Sequence, residues 1–362
     1  MSAIILYFIT TLIILLHIIV APEGQTYTIV KKREKIHAKA IYMTAYTAGW
    51  KERRNELIDL IEKSELNAVV IDIKDSTGKI FFDSDVVMAN EIGAEDIRIP
   101  DLQDLLSELS EKNIYTIARF AIFQDPQLAE NRNEYALKRT GGGLWRDWKG
   151  LAWVDSTSRD VWKYNLDLIK DAVELGFDEI NFDYIRFPSD GKLDEIVYPF
   201  YDKTKKKTDA MKEFFEYVDT ELSGYPLYTS VDLFGMVMVR DDGLGIGQRF
   251  QDAAAHFDYI APMVYPSHYP AGFQGYANPA DYPYEIVKYS LDQAANDIVG
   301  QRAEFRPWLQ DFDLGAVYTA DMVRKQIQAT YDGGAKSWFM WNASNRYTHE
   351  AFLNDGSPTP SL

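Results

Sequence analysis

The stretch EINFDYIRFPSDG, Glu179 to Gly191, reads as a buried strand that contains a carboxylate. Apolar residues Ile180 and Phe182 are typical of a sheet core, yet Asp183 follows them directly and Arg186 lies close behind. A charged side chain in a buried strand is costly unless it is paired or used in chemistry. The stretch therefore indicates a fold in which the ends of core strands carry functional groups.

The rest of the chain repeats this kind of strand. After residue 36, short runs rich in β-branched and aromatic residues alternate with amphipathic stretches of helical period, the pattern of βα units with a parallel sheet. Eight such runs begin at Ile36, Asn67, Asn113, Phe177, Tyr225, Phe257, Ala303 and Ala335. They predict a single-domain α/β protein, a (β/α)8 TIM barrel. A doubly wound sheet would carry a glycine-rich phosphate loop after its first strand, and MTAYTAGW has none.

The chain divides into four predicted segments. These are a signal peptide or membrane anchor at residues 1–24, a linker at 25–36, the barrel at 37–350 and a flexible tail at 351–362. The apolar run at 3–21 is long enough for possible membrane anchoring. The basic cluster KKREK, Lys31 to Lys35, follows that run, which by the positive-inside rule favours a cytoplasmic domain.

Composition favours the opposite location and excludes some partners. The chain has 362 residues, no cysteine and a formal net charge of -17, which argues against nucleic acid as a partner and removes thiol nucleophiles, disulfides and thiolate metal sites. An acidic, aromatic-rich, cysteine-free domain is suited to an extracellular polymer. We therefore expect a protein that is secreted or membrane-anchored facing outside.

Polar residues recur near the carboxyl ends of the predicted strands, where barrels of this type build their active sites. The residues are Asp72, Asp75, Arg119, Asn181, Asp183, Asp232, Tyr265, Gln310, Asp311, Trp341 and Asn342. Any one of them is as compatible with a structural ion pair or a helix cap as with catalysis. Carboxylates on four different strands, however, should converge on one pocket.

The residue types in this set favour chemistry with two carboxylates. The chain has 5 histidines, of which only His268 in YPSHYP is expected near the pocket, and no GxSxG motif is present. We therefore predict no cofactor and no metal. Asp183 and Asp232 come from adjacent predicted strands, and the period of two places each on the same face as a polar neighbour, Asn181 and Ser230. We predict Asp183 as nucleophile and Asp232 as acid or acid/base, with the roles reversible, and Arg186 as the group that lowers the pKa of Asp183.

Aromatic residues point to a carbohydrate substrate, because the apolar faces of sugar rings lie on Trp and Tyr. Trp341 is the best single candidate for a sugar platform, and Trp145, Trp148 and Trp153 cluster in one long loop. The predicted substrate-binding residues are Asp72, Asp75, Arg119, Arg186, Tyr265, His268, Gln310, Asp311, Trp341 and Asn342.

Four motifs resemble those of a known family, the putative glycosyl hydrolase domain family, over about residues 38–347. They are VIDIKDSTG (Val70 to Gly78), FDEINFDYIRFP (from Phe177), APMVYPSHY (Ala261 to Tyr269) and FMWNASN (Phe339 to Asn345). The resemblance implies a barrel distantly similar to α-amylase-like and other retaining glycosidases, in which the fourth-strand aspartate is the nucleophile. It supports Asp183. It leaves the acid open between Asp232 and Asp311, because α-amylase-like enzymes have a glutamate on the fifth strand.

The sequence thus predicts a glycoside hydrolase that acts on an extracellular poly- or oligosaccharide of a cell wall, capsule or biofilm. The alternative is a non-catalytic carbohydrate-binding barrel, in which the aspartates are only recognition groups. A polysaccharide deacetylase is a third possibility, which the shortage of histidines disfavours.

Overall fold

A computed structural model describes residues 33–353 of the protein. The predicted leader at 1–24 lies outside the described residues, as do most of the linker and of the tail. Within the described range, no helix combines the length and the apolar character that a membrane crossing requires.

Eight parallel strands form a closed barrel, and each lies inside one of the eight predicted runs. They are β1 (Lys39–Met43), β2 (Ala68–Lys74), β3 (Tyr115–Ala121), β4 (Glu179–Asp183), β5 (Tyr228–Phe234), β6 (Tyr259–Met263), β7 (Trp308–Gln310) and β8 (Trp338–Trp341). The barrel closes where β8 pairs with β1, with Lys39 opposite Trp338. Between β6 and β7, Trp308 pairs with Met263. The prediction of a (β/α)8 barrel is confirmed.

Ten α-helices lie between these strands over residues 33–353, two in each of the first three connections and one in each of the other four. Their bounds are Ala45–Gly49, Lys51–Glu62, Val87–Glu91, Leu102–Glu111, Pro126–Asn131, Arg159–Glu174, Lys207–Leu222, Phe250–Ala254, Pro283–Ala294 and Ala320–Asp332. The helix before β4 shows why such segments fold locally. The Ser158 side chain caps its first turn by accepting the Val161 N–H, and Gly176 adopts φ 100° just beyond its end.

The alternation along β4 explains the carboxylate in the opening stretch. Ile180 and Phe182 point outward into the hydrophobic layer between barrel and helices, so the neighbours at the other parity point into the barrel. Glu179, Asn181 and Asp183 are all buried, and they occupy successive levels from the amino-terminal to the carboxyl-terminal end. Asp183 therefore reaches the carboxyl-terminal end of the barrel, where an active site is expected.

The lowest of these levels holds a buried ion pair. Glu179 Oε2 lies 2.6 Å from Arg306 Nη1, both side chains are 0% exposed, and the Tyr115 hydroxyl donates to the same carboxylate at 3.1 Å. Glu179 begins β4, at the end opposite to the predicted active face. A substitution in this pair therefore tests the stability of the barrel interior without changing the site.

We expect Arg306→Leu to lower the free energy of unfolding by about 3–5 kcal/mol, because it leaves Glu179 charged and unpaired inside the barrel. Denaturant unfolding at neutral pH measures the loss. The double variant Glu179→Gln with Arg306→Leu removes the uncompensated charge and should recover part of it. A single-variant loss below about 1 kcal/mol would contradict the view that the two charges depend on each other.

Candidate active site

One guanidinium contacts three carboxylates at the carboxyl-terminal end of the barrel. Arg119, on β3, donates from Nη2 to Asp183 Oδ2 on β4 and from Nη1 to Asp72 Oδ1 on β2, the latter at 2.6 Å. Its Nε lies 3.9 Å from Asp232 Oδ2 on β5. Because these four strands are neighbours in the barrel, side chains distant in sequence meet at one point.

Asp232 is the more deeply buried of the two predicted catalytic aspartates, with 2% exposure. Its Oδ1 accepts hydrogen bonds from Trp308 Nε1 at 2.7 Å and from Asn181 Nδ2 at 2.8 Å. Burial, together with the nearby charge of Asp183, raises the pKa of Asp232 well above its usual range. Since both donors occupy Oδ1, Oδ2 is the oxygen available to hold a proton.

Asp183 has a different environment. Its Oδ1 accepts the backbone N–H of Tyr184 at 2.6 Å, and its Oδ2 accepts from Arg119. Tyr184 adopts φ 53°, a left-handed conformation that costs a non-glycine residue about 1 kcal/mol or more. That turn directs the amide back onto the preceding carboxylate. A guanidinium and an amide are the donors that stabilise a carboxylate anion.

The two aspartates line a cavity of about 510 Å³. Its other lining residues are Arg119, Lys149, Tyr184, Arg186, Ser189, Asp190, Phe234, Gly235, Met236, Met263, Tyr265, His268, Tyr269, Trp308 and Trp341. A second depression of about 450 Å³ shares Tyr265, His268 and Trp341 with the first and extends to Phe312 and Asn342. Together they form a groove with an aromatic wall at its centre.

Most of the predicted site residues meet in this groove. Asp183, Asp232, Arg119, Arg186, Tyr265, His268 and Trp341 line the first cavity, and Asn342 lines the second depression. Asp72 is bound beneath them through Arg119 and through the hydroxyl of Tyr42. Burial lowers the pKa of His268, so its imidazole is neutral at neutral pH.

Besides Asp72, three other predicted residues have structural contacts and line neither depression. Asp75 accepts the N–H and hydroxyl of Thr77 in the turn after β2. Asp311, the reserve candidate for the acid, accepts the N–H and the hydroxyl of Thr348 at 2.8 Å each. Gln310 accepts the Ser267 hydroxyl at 2.8 Å and so holds the loop after β6. These contacts leave Asp232 as the candidate acid that faces the cavity.

Arg186 does not pair with Asp183 as the sequence suggested. Arg119 is the guanidinium that contacts Asp183, and Arg186 stacks against Trp153 and Phe234, each with its ring centre 4.9 Å away. The strand period could not reveal this, because Arg186 lies beyond the end of β4 in a loop whose direction is set by tertiary contacts.

Two aromatic residues that sequence reasoning missed complete the site. Tyr42 donates to Asp72 and stacks on Trp341, with ring centres 4.1 Å apart. Trp308 donates to Asp232. The available signal for Trp308 was its parity with Gln310 in the seventh run. Of the tryptophans predicted to cluster in the loop after β3, Trp145 and Trp153 are buried and only Trp148 is exposed, at 72%.

Among residues 33–353, no three His, Asp or Glu side chains are grouped so as to share a metal ion.

Comparisons with known proteins agree with this architecture. A model of a family described as a putative glycosyl hydrolase domain matches residues 40–347. The glycoside hydrolase domain of PgaB (BpsB) from Bordetella bronchiseptica is 15% identical, with 87% of this chain and 97% of that chain covered and a TM-score of 0.62. A chitinase from Chromobacterium violaceum is 12% identical, with 87% and 97% covered and a TM-score of 0.51. At such identities the similarity shows the fold alone.

A hypothetical protein from Ruminiclostridium thermocellum is 37% identical, with 53% of this chain and 96% of that chain covered and a TM-score of 0.49. No curated protein matches the chain.

Proposed function

Because this chain belongs to the putative glycosyl hydrolase domain family, we propose that it is a glycoside hydrolase that cleaves glycosidic bonds of an extracellular poly- or oligosaccharide. One observation carries the proposal. Two buried aspartates on adjacent strands, Asp183 and Asp232, face the same open cavity in different environments. Two carboxyl groups with contrasting surroundings are what glycosidic cleavage needs, one as an anion and one as an acid.

Each aspartate has a distinct role in the proposed reaction. A carboxylate oxygen of Asp183 attacks the anomeric carbon, and the glycosidic oxygen leaves with the proton held on Asp232 Oδ2. The products of this step are a glycosyl ester on Asp183 and a free hydroxyl on the leaving sugar. Water then attacks the same carbon and gives its proton back to Asp232, which restores both groups. Two displacements at one carbon retain the anomeric configuration.

The groove supports an oligomeric substrate. The first cavity holds the reacting groups, and the second depression continues from it past Tyr265, His268 and Trp341. A single sugar unit would occupy only one of the two. Trp341, fixed by its stacking on Tyr42, is placed at their junction and would support the apolar face of a sugar ring.

The test is hydrolysis by the purified full chain across aryl glycosides and bacterial polysaccharides, with the anomer of the first product read by NMR. We expect release of a product with retained configuration. Asp59→Asn, an exposed aspartate on the helix before β2, is the matched control and should keep full activity. Glycan binding without product from any substrate would instead support the non-catalytic carbohydrate-binding barrel.

Trp308→Phe tests the environment of the proposed acid. The change keeps a ring at the position but removes the N–H that bonds Asp232 Oδ1 at 2.7 Å. Losing a donor to the ionised form raises the pKa of Asp232 further, so the alkaline limb of the kcat/KM profile should move to higher pH. We expect a fall in kcat/KM of about 3- to 10-fold at the optimum. If the alkaline limb does not move, it reports the ionisation of a group other than Asp232.

We further propose that the protein works outside the cell, secreted or anchored through residues 3–21, which lie outside the described range. An acidic barrel with an aromatic groove is suited to an extracellular glycan. Protease treatment of intact cells, followed by detection of the barrel domain, tests this. If the barrel domain is digested only after the cells are lysed, the protein is inside the cell and this proposal is wrong.

A further inference from the structure

Arg186 is a buried cation in the proposed active site that has no carboxylate partner. It is 8% exposed, and its guanidinium stacks near the rings of Trp153, Phe234 and Tyr184. Its one hydrogen bond within the described structure runs from Nη1 to its neighbour's carbonyl, Phe187 O, at 3.2 Å. No ion pair joins it to any described residue, although it lines the cavity beside Asp183.

The other buried arginines inside the barrel are neutralised. Arg119 contacts three carboxylates, and Arg306 is paired with Glu179. A guanidinium has five N–H donors, so Arg186 has most of its donors unused. Three aromatic ring centres lie 4.9 to 5.5 Å from its guanidinium carbon, and the N–H donors that remain can bind a ligand in the cavity. Burial lowers the pKa of Arg186, and the charges of Asp183, Asp190 and Asp147, none of which forms an ion pair with it, only partly oppose that shift, though the group stays charged.

A second cation lies at the rim of the same cavity. Lys149 is exposed, and its loop is held by Asp147, whose Oδ1 accepts the backbone N–H groups of Lys149 and Leu151. Its ammonium group forms no ion pair with the described residues. Asp190 also lines the cavity and accepts the Trp148 N–H at 3.1 Å. The chain has 55 acidic and 38 basic residues, so two cations without ion pairs at one cavity are unexpected from its overall composition.

We propose that the substrate is an anionic polysaccharide, and that Arg186, with Lys149 at the rim, binds a negatively charged substituent of the sugar unit held in the first cavity. The substituent is a carboxylate, as on a uronic acid, or a sulfate or phosphate ester. A planar guanidinium edge matches each of these three groups with two parallel hydrogen bonds. A neutral sugar hydroxyl would accept a hydrogen bond but would not bring a charge into contact with the guanidinium. This inference rests on the proposed hydrolase function and specifies its substrate class.

The experiment compares matched substrates on the purified full chain. Oligosaccharides that contain uronic acids are tested beside the same oligosaccharides after carboxyl reduction, and sulfated or phosphorylated ones beside their de-esterified forms. The measurement is the ratio of kcat/KM for the charged and the neutral member of each pair. Inactive or unfolded protein lowers both values equally and so cancels from the ratio. The kind of pair with the largest ratio identifies the anion.

We expect wild type to prefer one charged member and Arg186→Gln to lower that ratio by about 30-fold or more. Lys149→Met should lower it by about 3-fold and weaken its dependence on salt, as befits an exposed charge. Arg186→Lys keeps the positive charge but loses the planar edge that donates two parallel hydrogen bonds. Its ratio should therefore fall between those of wild type and Arg186→Gln. The control Lys203→Met, in an exposed loop away from the cavity, should leave the ratio unchanged.

The failures of the two proposals are distinguishable. If wild type cleaves neutral members as well as charged ones, or if Arg186→Gln lowers both equally, the anionic substrate is wrong while hydrolysis stands. If nothing is cleaved, calorimetric titration of the same pairs decides. If the wild type binds the charged members and Arg186→Gln does not, the anion inference stands and the proposed hydrolase function is wrong. If the wild type binds both members of a pair equally, the anion inference is wrong.

Discussion

Asp183→Asn should reduce kcat/KM by about 10⁴-fold or more on any substrate that the wild type cleaves. The amide oxygen can still accept the Tyr184 N–H, but the side chain loses the negative charge that would attack the anomeric carbon. Asp72 remains as a partner for Arg119, so the barrel should still fold. Steady-state rates with an aryl glycoside, beside a thermal unfolding curve of each variant, measure the two effects separately.

Rescue by an external nucleophile distinguishes a nucleophile from a residue that merely orients Arg119. Asp183→Gly leaves space for azide or formate beside the anomeric carbon, and either ion should restore part of the lost rate. With azide, the product is a glycosyl azide of inverted configuration, because one displacement replaces two. A loss of less than about 10-fold in Asp183→Asn would remove this residue from the reaction.

Asp232→Asn should lower activity while making the protein more stable at neutral pH. Removing a general acid costs about 10²- to 10⁴-fold in rate. The stability gain follows from burial, since the pKa of Asp232 is raised in the folded state by desolvation and by the charge of Asp183. A group with a raised folded pKa contributes stability below its unfolded pKa, and that contribution is lost as pH rises through the folded value. The neutral asparagine avoids this loss.

The expected gain in unfolding free energy is at least about 1 kcal/mol at neutral pH, since each unit of separation between folded and unfolded pKa corresponds to about 1.4 kcal/mol. It should shrink as the pH falls towards the unfolded pKa of about 3.9 and disappear near pH 3 or below, where the wild-type carboxyl is protonated in both states. Denaturant unfolding at several pH values checks the trend. A variant that is less stable than wild type at every pH would show that the contacts of Asp232 outweigh its burial.

The leaving group separates the two aspartates kinetically. An activated aryl leaving group departs without a proton, so Asp232→Asn should lose much less activity on a dinitrophenyl glycoside than on an unactivated oligosaccharide. Asp183→Asn should lose activity on both, because the attack is needed in either case. Equal losses for Asp232→Asn on the two substrates would assign the acid role to another group.

Strand parity was the part of the site that could be predicted best. Asp183 and Asp232 were identified because each follows the period of two from a polar neighbour, and both side chains do line the cavity. The broader criterion, a polar residue near the carboxyl end of a predicted strand, also included Asp75 and Asp311, which instead bond Thr77 and Thr348. Strand ends also need turn and loop contacts for their backbone, and polar residues that serve those contacts have the same pattern in sequence.

The sequence by itself determined the barrel, because the periods of strands and helices are local properties and eight such pairs have few ways to bury their apolar faces. Only the tertiary structure decided which charges meet. Arg119 is 47 residues from Asp72 and 64 from Asp183, and Trp308 is 76 residues from Asp232. Ion pairs and hydrogen bonds act over a few ångströms, so their partners are set by which strands are neighbours and by their register. For the same reason, Arg186 is only three residues from Asp183 in sequence but forms no ion pair with it or with any other described carboxylate.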